Sequence, residues 1–151
     1  MNKLTPFLWF DDDMDEAIAF YSAIFPDAEV IEHEKLGDQV LSARFRLAGQ
    51  EFMAMNAGPG HPFTDAFSIL IDCEDQAEVD RYWDALLAGG GKESMCGWLS
   101  DRFGLSWQVV PRRLTELMAD SDPARARRVM DEMMTQVKID VAALECAADG
   151  V

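Results

Sequence analysis

The chain has only two histidines, His33 and His61. Imidazole is the commonest metal ligand and the side chain that titrates near neutral pH, so chemistry resting on several histidines is excluded. Cysteine is nearly as scarce. Cys73, Cys96 and Cys146 are an odd number with no C-x-x-C spacing, which excludes a disulfide framework or zinc knuckle and points to reduced thiols. Positive charge is short too, with 13 Lys and Arg against 28 Asp and Glu, a net charge of −15 and a pI near 4.3. Such a surface repels phosphate backbones. The one basic cluster, Arg125, Arg127 and Arg128, sits among acidic neighbours and reads as a solvated helix face, so nucleic acid is not an expected partner. No apolar run approaches the roughly 20 residues of a membrane span, and MNKLTPFLWFDDD carries no signal-peptide core. The expectation is a cytoplasmic protein with no membrane partner.

What the chain does have is a repeat. At 151 residues and 49% hydrophobic content it reads as one ordinary domain, 1–151. Within it, a helical stripe at Ala17, Phe20, Tyr21, Ile24 and Phe25 returns at an offset of 62 as Val79, Tyr82, Trp83, Leu86 and Leu87. The same offset carries Asp13 to Asp75 and PFLWF to SILID. Further on, an offset of 55 takes Gly49 to Gly104, Phe52 to Trp107 and Met55 to Val110. A β-α-β-β-β unit used twice is predicted, and two such half-sheets can close around a pocket.

Local signals fill in the unit. Residues 5–10 read as a buried strand, and Asp13 with Glu16 predicts a capping box opening a helix that Pro26 ends. Strands follow at 29–35, 40–47 and 51–56, hinged at Gly37-Asp38 and Ala48-Gly49. The segment AGPGHP, 57–62, joins module one (about 4–57) to module two (about 65–111). There a strand at 66–72, a helix capped by Asp75 and Glu78, and strands near 92–96, 98–103 and 106–110 are predicted. Gly89, Gly90 and Gly91 close a helix and do not open one, so they read as a C-cap and not as a phosphate loop. A helical tail, about 112–148, has no counterpart in module one; Val129, Met130, Met133, Met134 and Val137 form its predicted apolar stripe. The tail either covers the sheet or packs on a second subunit.

The segments TPFLWF with EAIAFY, FMAMNAGP, WLSDRFGLSWQVVP and the terminal KIDVAALECA resemble the vicinal oxygen chelate superfamily, which includes glyoxalase I, extradiol dioxygenases and bleomycin-resistance proteins. The resemblance is strongest to its PhnB-like group, labelled 3-demethylubiquinone-9 3-methyltransferase-like. It implies an α+β fold of paired βαβββ modules (the glyoxalase/bleomycin-resistance fold), here with a C-terminal helical extension, a cavity lined by the sheets, and a homodimer. It also implies where a divalent metal would bind. Relatives place one ligand seven residues before the helix-capping Asp and another four after the last hairpin Gly, which points here to Pro6, Ser68, Met53 and Gln108. Pro6 has no side-chain donor, Met53 is a soft thioether, Ser68 is a weak neutral donor, and Gln108 alone will not hold a hard dication. No metal and no cofactor are expected. The methyltransferase label finds no strand–glycine-loop–helix signature to support it.

Taking those positions as a ruler for strand alternation, one wall of the pocket would carry Pro6, Leu8 and Phe10, and others Met53 and Met55, Ser68 and Leu70, and Ser106, Gln108 and Val110, with Asn56 at the rim. Trp98 is a candidate stacking surface. Cys96 lacks an adjacent base and reads as a buried thiol, and Asp101 and Arg102 read as turn and sheet-edge charges. Leu8, Phe10, Met53, Met55, Ser68, Leu70, Trp98, Ser106 and Gln108 are thus the candidate ligand-binding residues. No catalytic residue is identified. The reading is a metal-independent binding protein for a small, mostly apolar organic ligand. The alternatives are a metal-dependent glyoxalase-, dioxygenase- or transferase-type enzyme, and a protein-interaction module.

Overall fold

Alternation along the strands sorts the apolar residues onto one face of each sheet, and a helix seals that face. The computed structural model describes residues 2–151 and divides into two units, one ending at Pro62 and the other running Phe63–Val151. The first unit contains β1 (Phe7–Phe10), α1 (Met14–Ile24), β2 (Glu29–Leu36), β3 (Gln39–Leu47) and β4 (Gln50–Asn56). Its sheet has the order β1-β4-β3-β2, with β1 parallel to β4 and the hairpins antiparallel. The second unit repeats this with β5 (Ser68–Cys73), α2 (Gln76–Leu87), β6 (Lys92–Glu93), β7 (Trp98–Ser100) and β8 (Ser106–Pro111), in the order β5-β8-β7-β6. It continues into α3 (Arg112–Met118), α4 (Pro123–Met133) and α5 (Val141–Asp149). The α+β fold of paired βαβββ modules with a helical extension is therefore present.

In the first unit Leu8, Phe10, Ala43, Phe45, Leu47, Phe52 and Ala54 are buried with Met14, Ala17, Ile18 and Tyr21 of α1. In the second, Leu99, Trp107 and Val109 are buried with Val79, Tyr82, Trp83 and Leu86 of α2. Large aromatic rings at these positions remove on the order of 150–250 Å² each from water.

The two helices are capped differently. Asp75 accepts from the Glu78 amide at 2.9 Å, and Glu78 reaches back to the Glu74 amide, one residue before the cap, at 2.7 Å, so the start of α2 is closed by a variant of the expected box. At Asp13 the expected box does not form; the Asp13 side chain makes no cap bond. Instead Asn56, expected at the pocket rim, turns under α1 and accepts from the Met14 amide at 3.0 Å.

Strands β6 and β7 are shorter than the sequence suggests, for two reasons. Cys96 and Gly97 take positive φ, +59° and +81°, which breaks strand pairing. Their amides point instead at the Gln136 and Val137 carbonyls, both at 2.8 Å. Only glycine fits at 97, because a Cβ there would stand 3.0 Å from both Ile139 and the Val109 carbonyl. At the other end of β7, Asp101 is 3% exposed and gathers the turn into β8. It accepts from the Phe103 amide (2.9 Å), the Leu105 amide (3.1 Å) and the Trp107 indole (2.8 Å). The sheet-edge charge expected at Asp101 is thus a buried structural carboxylate.

The tail packs on its own module. Gln76 of α2 donates to the Ile139 carbonyl at 3.0 Å and accepts from the Val141 amide at 2.8 Å, while Lys138 pairs with Asp80 at 2.8 Å. Leu114, Leu117, Val129, Ile139, Leu144 and Ala148 form a separate small core. The expected tail stripe is corrected accordingly. Val129 is buried, but α4 ends at Met133, and Met130, Met134 and Val137 lie exposed because α3 and α5 occupy the other side. The basic cluster also has partners. Arg125 pairs with Asp120 and Asp149, Arg127 with Asp131, and Arg128 donates to the carbonyls of Ala147 and Ala148 at the end of α5.

Asp101→Ala leaves three donors without their acceptor, one of them an indole in the core. We expect a loss of about 3 kcal/mol or more, read as a fall in the chemical-denaturation midpoint, with Asp101→Asn falling between the two. An unchanged midpoint for the Ala variant would show that the turn holds without this carboxylate.

Candidate functional site

The face of each sheet turned away from its helix is where side chains are free for other work. Registered partners share a face, so the pairings fix its composition row by row. In the second unit Ser68 pairs with Ser106 and Ser106 in turn with Ser100, while Leu70 pairs with Gln108 and Gln108 in turn with Trp98. Ser100 pairs onward with Lys92. Five expected residues, Ser68, Leu70, Trp98, Ser106 and Gln108, therefore share the face away from α2, with Leu70 55% exposed and Ser106 5%. Gln108 Nε2 donates to Ser68 Oγ at 2.9 Å, which fixes the amide across the parallel strands. A cavity of about 300 Å³ lies against this face, lined by Trp98, Ser100, Ser106, Lys92, Ser94 and Asp65 among others. Its lining is more polar than the apolar pocket expected from sequence.

In the first unit one expectation is overturned. Phe7 pairs with Met53 and Trp9 with Met55, while Leu8 pairs with Ala54 and Phe10 with Asn56. Met53 and Met55 lie on the sheet face away from α1, the face expected to line a pocket, but Leu8 and Phe10, each 3% exposed, lie under α1. Phe7, at 51%, and Trp9 take their place. The cause is one residue. Three residues, Asp11 to Asp13, link β1 to α1, and two, Glu74 and Asp75, link β5 to α2. The helices repeat at an offset of 62, Asp13 to Asp75, whereas the strands repeat at 63, Phe10 to Cys73. A shift of one residue exchanges the faces of a strand. The longer acidic link was the available signal.

This first open face is divided. Phe7, Trp9, Met53 and Met55 make its apolar half, with the 57–62 segment folded against Trp9: the indole donates to the Gly58 carbonyl at 2.9 Å, and the His61 ring lies 4.1 Å away. Across the sheet runs an ion ladder of Arg44 to Glu32 at 3.3 Å and Arg46 to Glu29 and Glu51 at 2.7 and 3.1 Å. The Arg46 guanidinium holds the Glu51 carboxyl below its usual range. Arg44 Nε and Glu51 Oε2 are buried without a hydrogen-bond partner.

The metal positions can be tested against these contacts. By the strand offset, the counterpart of Ser68 is Thr5 rather than Pro6, and the Thr5 hydroxyl donates to the Asn2 carbonyl at 3.3 Å. Ser68 and Gln108 are hydrogen-bonded to each other, and Met53 offers only a thioether. This donor set does not fit a hard divalent cation. Among the described residues, no group of three or more His, Cys, Asp and Glu side chains is placed to hold a metal ion. His33 lies 3.8 Å from Asp15 on the β2 side of the first unit.

The three thiols differ sharply. Cys73 is buried at the end of β5, and burial, with the nearby charges of Glu78 and Asp72, pushes its thiol up to about 12. Cys146 is exposed, and Cys96 is half-exposed where a buried thiol was expected. Because the thiolate is the reactive form, a disulfide reagent at pH 8 should titrate Cys146 rapidly and leave Cys73 untouched until denaturant is added. Rapid loss of the Cys73 thiol in the native protein would contradict its burial.

Among the described residues no helix is long and apolar enough to cross a membrane. The sequence model of the 3-demethylubiquinone-9 3-methyltransferase family matches residues 2–110. Among curated proteins none matches the chain. Among solved structures, a PhnB protein from Bacillus cereus carrying the same methyltransferase label is 32% identical, with a TM-score of 0.66, over 73% of this chain and 99% of that one. Protein PA1353 from Pseudomonas aeruginosa is 24% identical with a TM-score of 0.60, over 74% and 98%. The fosfomycin resistance protein FosX from Listeria monocytogenes, solved with Mn(II) and sulfate, shares the fold at 20% identity and a TM-score of 0.54, over 71% and 89%. With the paired βαβββ architecture, the family match over 2–110 and the Bacillus cereus relative, the chain belongs to the PhnB-like 3-demethylubiquinone-9 3-methyltransferase family and has the glyoxalase/bleomycin-resistance fold.

Proposed function

We propose that the chain is a metal-independent binding protein for a small, flat organic molecule, working as a homodimer in the cytoplasm. The observation that carries this reading is the Gln108–Ser68 hydrogen bond on the open face of the second sheet. At the strand positions where the superfamily would place cation ligands, this chain instead joins two neutral side chains to each other. Beside them, Trp98 offers an aromatic plane and Ser100 and Ser106 offer hydroxyls along the 300 Å³ cavity. Such a lining suits a planar ligand stacked on the indole and oriented by a few hydrogen bonds. It is more polar than a purely hydrocarbon ligand would need.

The family label does not supply a methyl-transfer mechanism here. Gly89, Gly90 and Gly91 follow α2, and the Gly91 amide closes back on the Leu87 carbonyl at 2.9 Å, so the triplet ends a helix. A fold shared with enzymes does not carry their chemistry with it.

A thermal-shift screen with aromatic and quinone-like compounds tests the reading. A true ligand at a hundredfold its Kd stabilises by about 2.7 kcal/mol, a shift of several degrees for a chain of this size. Trp98→Ala should remove most of that shift while leaving the unliganded protein folded. Elemental analysis is the opposing measurement: stoichiometric Zn, Fe or Mn whose chelation abolishes an activity would make the protein a metalloenzyme.

A further inference from the structure

The lining of the second-unit cavity carries more charge than a neutral planar molecule would use. Register sets Lys92 beside Ser100, and Ser100 beside Ser106, in one row across β6, β7 and β8. Trp98 stands two residues before Ser100 on the same face of β7, roughly 7 Å away along the strand. Three charged side chains border the cavity: Asp65, Lys92 and Glu93. Glu93 is already engaged. It pairs in register with Leu99, which is buried, and its carboxylate accepts from the Trp83 indole at 3.2 Å. Lys92 and Asp65 form no ion pair with each other or with another described residue. Ser106 is buried, and its hydroxyl lines the cavity while bonding to no described residue. A buried hydroxyl in that position gains from any acceptor brought to it.

Resting on the reading of this cavity as the ligand site, we propose that its ligand is an aromatic zwitterion. By this we mean a planar ring bearing one carboxylate and one ammonium, as in an aromatic amino acid. The ring stacks on Trp98. The carboxylate accepts from the Lys92 ammonium and from the Ser100 and Ser106 hydroxyls, in charge-assisted hydrogen bonds stronger than neutral ones. The ammonium donates to Asp65. Spacing agrees with this division of roles. Registered neighbours lie roughly 4.5–5.5 Å apart, so Lys92, Ser100 and Ser106 converge on one small group, while the ring takes the longer step along β7. Charge decides between a zwitterion and a plain aromatic acid. The chain's net −15 repels an anion, and Asp65 adds to that repulsion at the cavity itself. A molecule with both charges enters this field with no net charge and gives each free side chain its opposite.

The test is calorimetric titration of the full chain with phenylalanine, tyrosine and tryptophan. Each is compared with the acid that lacks its amine and the amine that lacks its carboxylate. At least one amino acid should bind fivefold or more tightly than either of its fragments. Lys92→Gln should weaken that amino acid and its acid at least fivefold more than the amine. Asp65→Asn should do the reverse, sparing the acid relative to the amine. Both positions are exposed, so replacement is structurally mild, and circular dichroism checks the fold. No binding of any amino acid, a fragment binding as tightly as its parent, or variants that weaken all three compounds alike would overturn the inference. Trp98-dependent protection by a neutral quinone-like compound would then leave the ligand site itself standing, and its loss as well would remove both.

Discussion

The structure depends on the two-residue period of its strands. Each sheet must bury one face, and the only cover available in each module is its single helix. Once Phe45, Phe52 and Ala54 lie under α1, and Trp107 and Val109 under α2, their neighbours are committed to the opposite side. Backbone groups are used up in the ladders, so what an open face can do is set by its side-chain rows. One row in the first unit runs Phe7, Met53, Arg44, Glu32, and one in the second runs Leu70, Gln108, Trp98. The first divides into a soft apolar half and a charged half. The second sets hydroxyls and an amide beside one aromatic plane, with Lys92 and Asp65 at its cavity.

Much of this was legible in the sequence because burial writes itself into period. The repeat of the helical stripe located both modules, and strand alternation placed Met53, Met55, Ser68, Leu70, Ser106 and Gln108 on open faces. Leu8 and Phe10 were misplaced because a single offset was applied to helix and strand alike. The helix phase is set by its cap and the strand phase by its partner strand, and one extra aspartate separates them. Asp101 was misread for a related reason. A carboxylate beside Arg102 in a glycine-containing turn looks exposed, and nothing local indicates that Trp107, six residues on, will bring its indole proton to it. Tertiary hydrogen bonds of this kind leave no periodic trace.

The same limit applies to chemistry. The positions that the resemblance marks for a metal are recognisable by spacing, yet the residues that fill them answer a different demand. An amide and a hydroxyl at 2.9 Å satisfy one another and form a neutral pair. A dication would need several oxygen or imidazole donors turned inward together, and the second sheet supplies one amide oxygen. The likeness to FosX, at 20% identity, is one of fold. The function of this chain follows from what its own strands carry.

The helical tail is more than an appendage. Gln76 opens α2 and uses both ends of its amide on the tail, at Ile139 and Val141, while its Nε2 also reaches Asp80 at 3.0 Å. Lys138 adds a charge on the same Asp80, lowering that carboxyl and raising its own ammonium through their hydrogen bond. From the other side, the tail offers the Gln136 and Val137 carbonyls to a turn that would otherwise have extended a strand. The cost of holding Cys96 at positive φ, about 1 kcal/mol or more, is offset by those two amide bonds. Removing the tail would therefore release the Cys96–Gly97 turn as well as uncover Val110. The shape of the sheet edge next to Trp98 is set by residues about forty positions further along the chain.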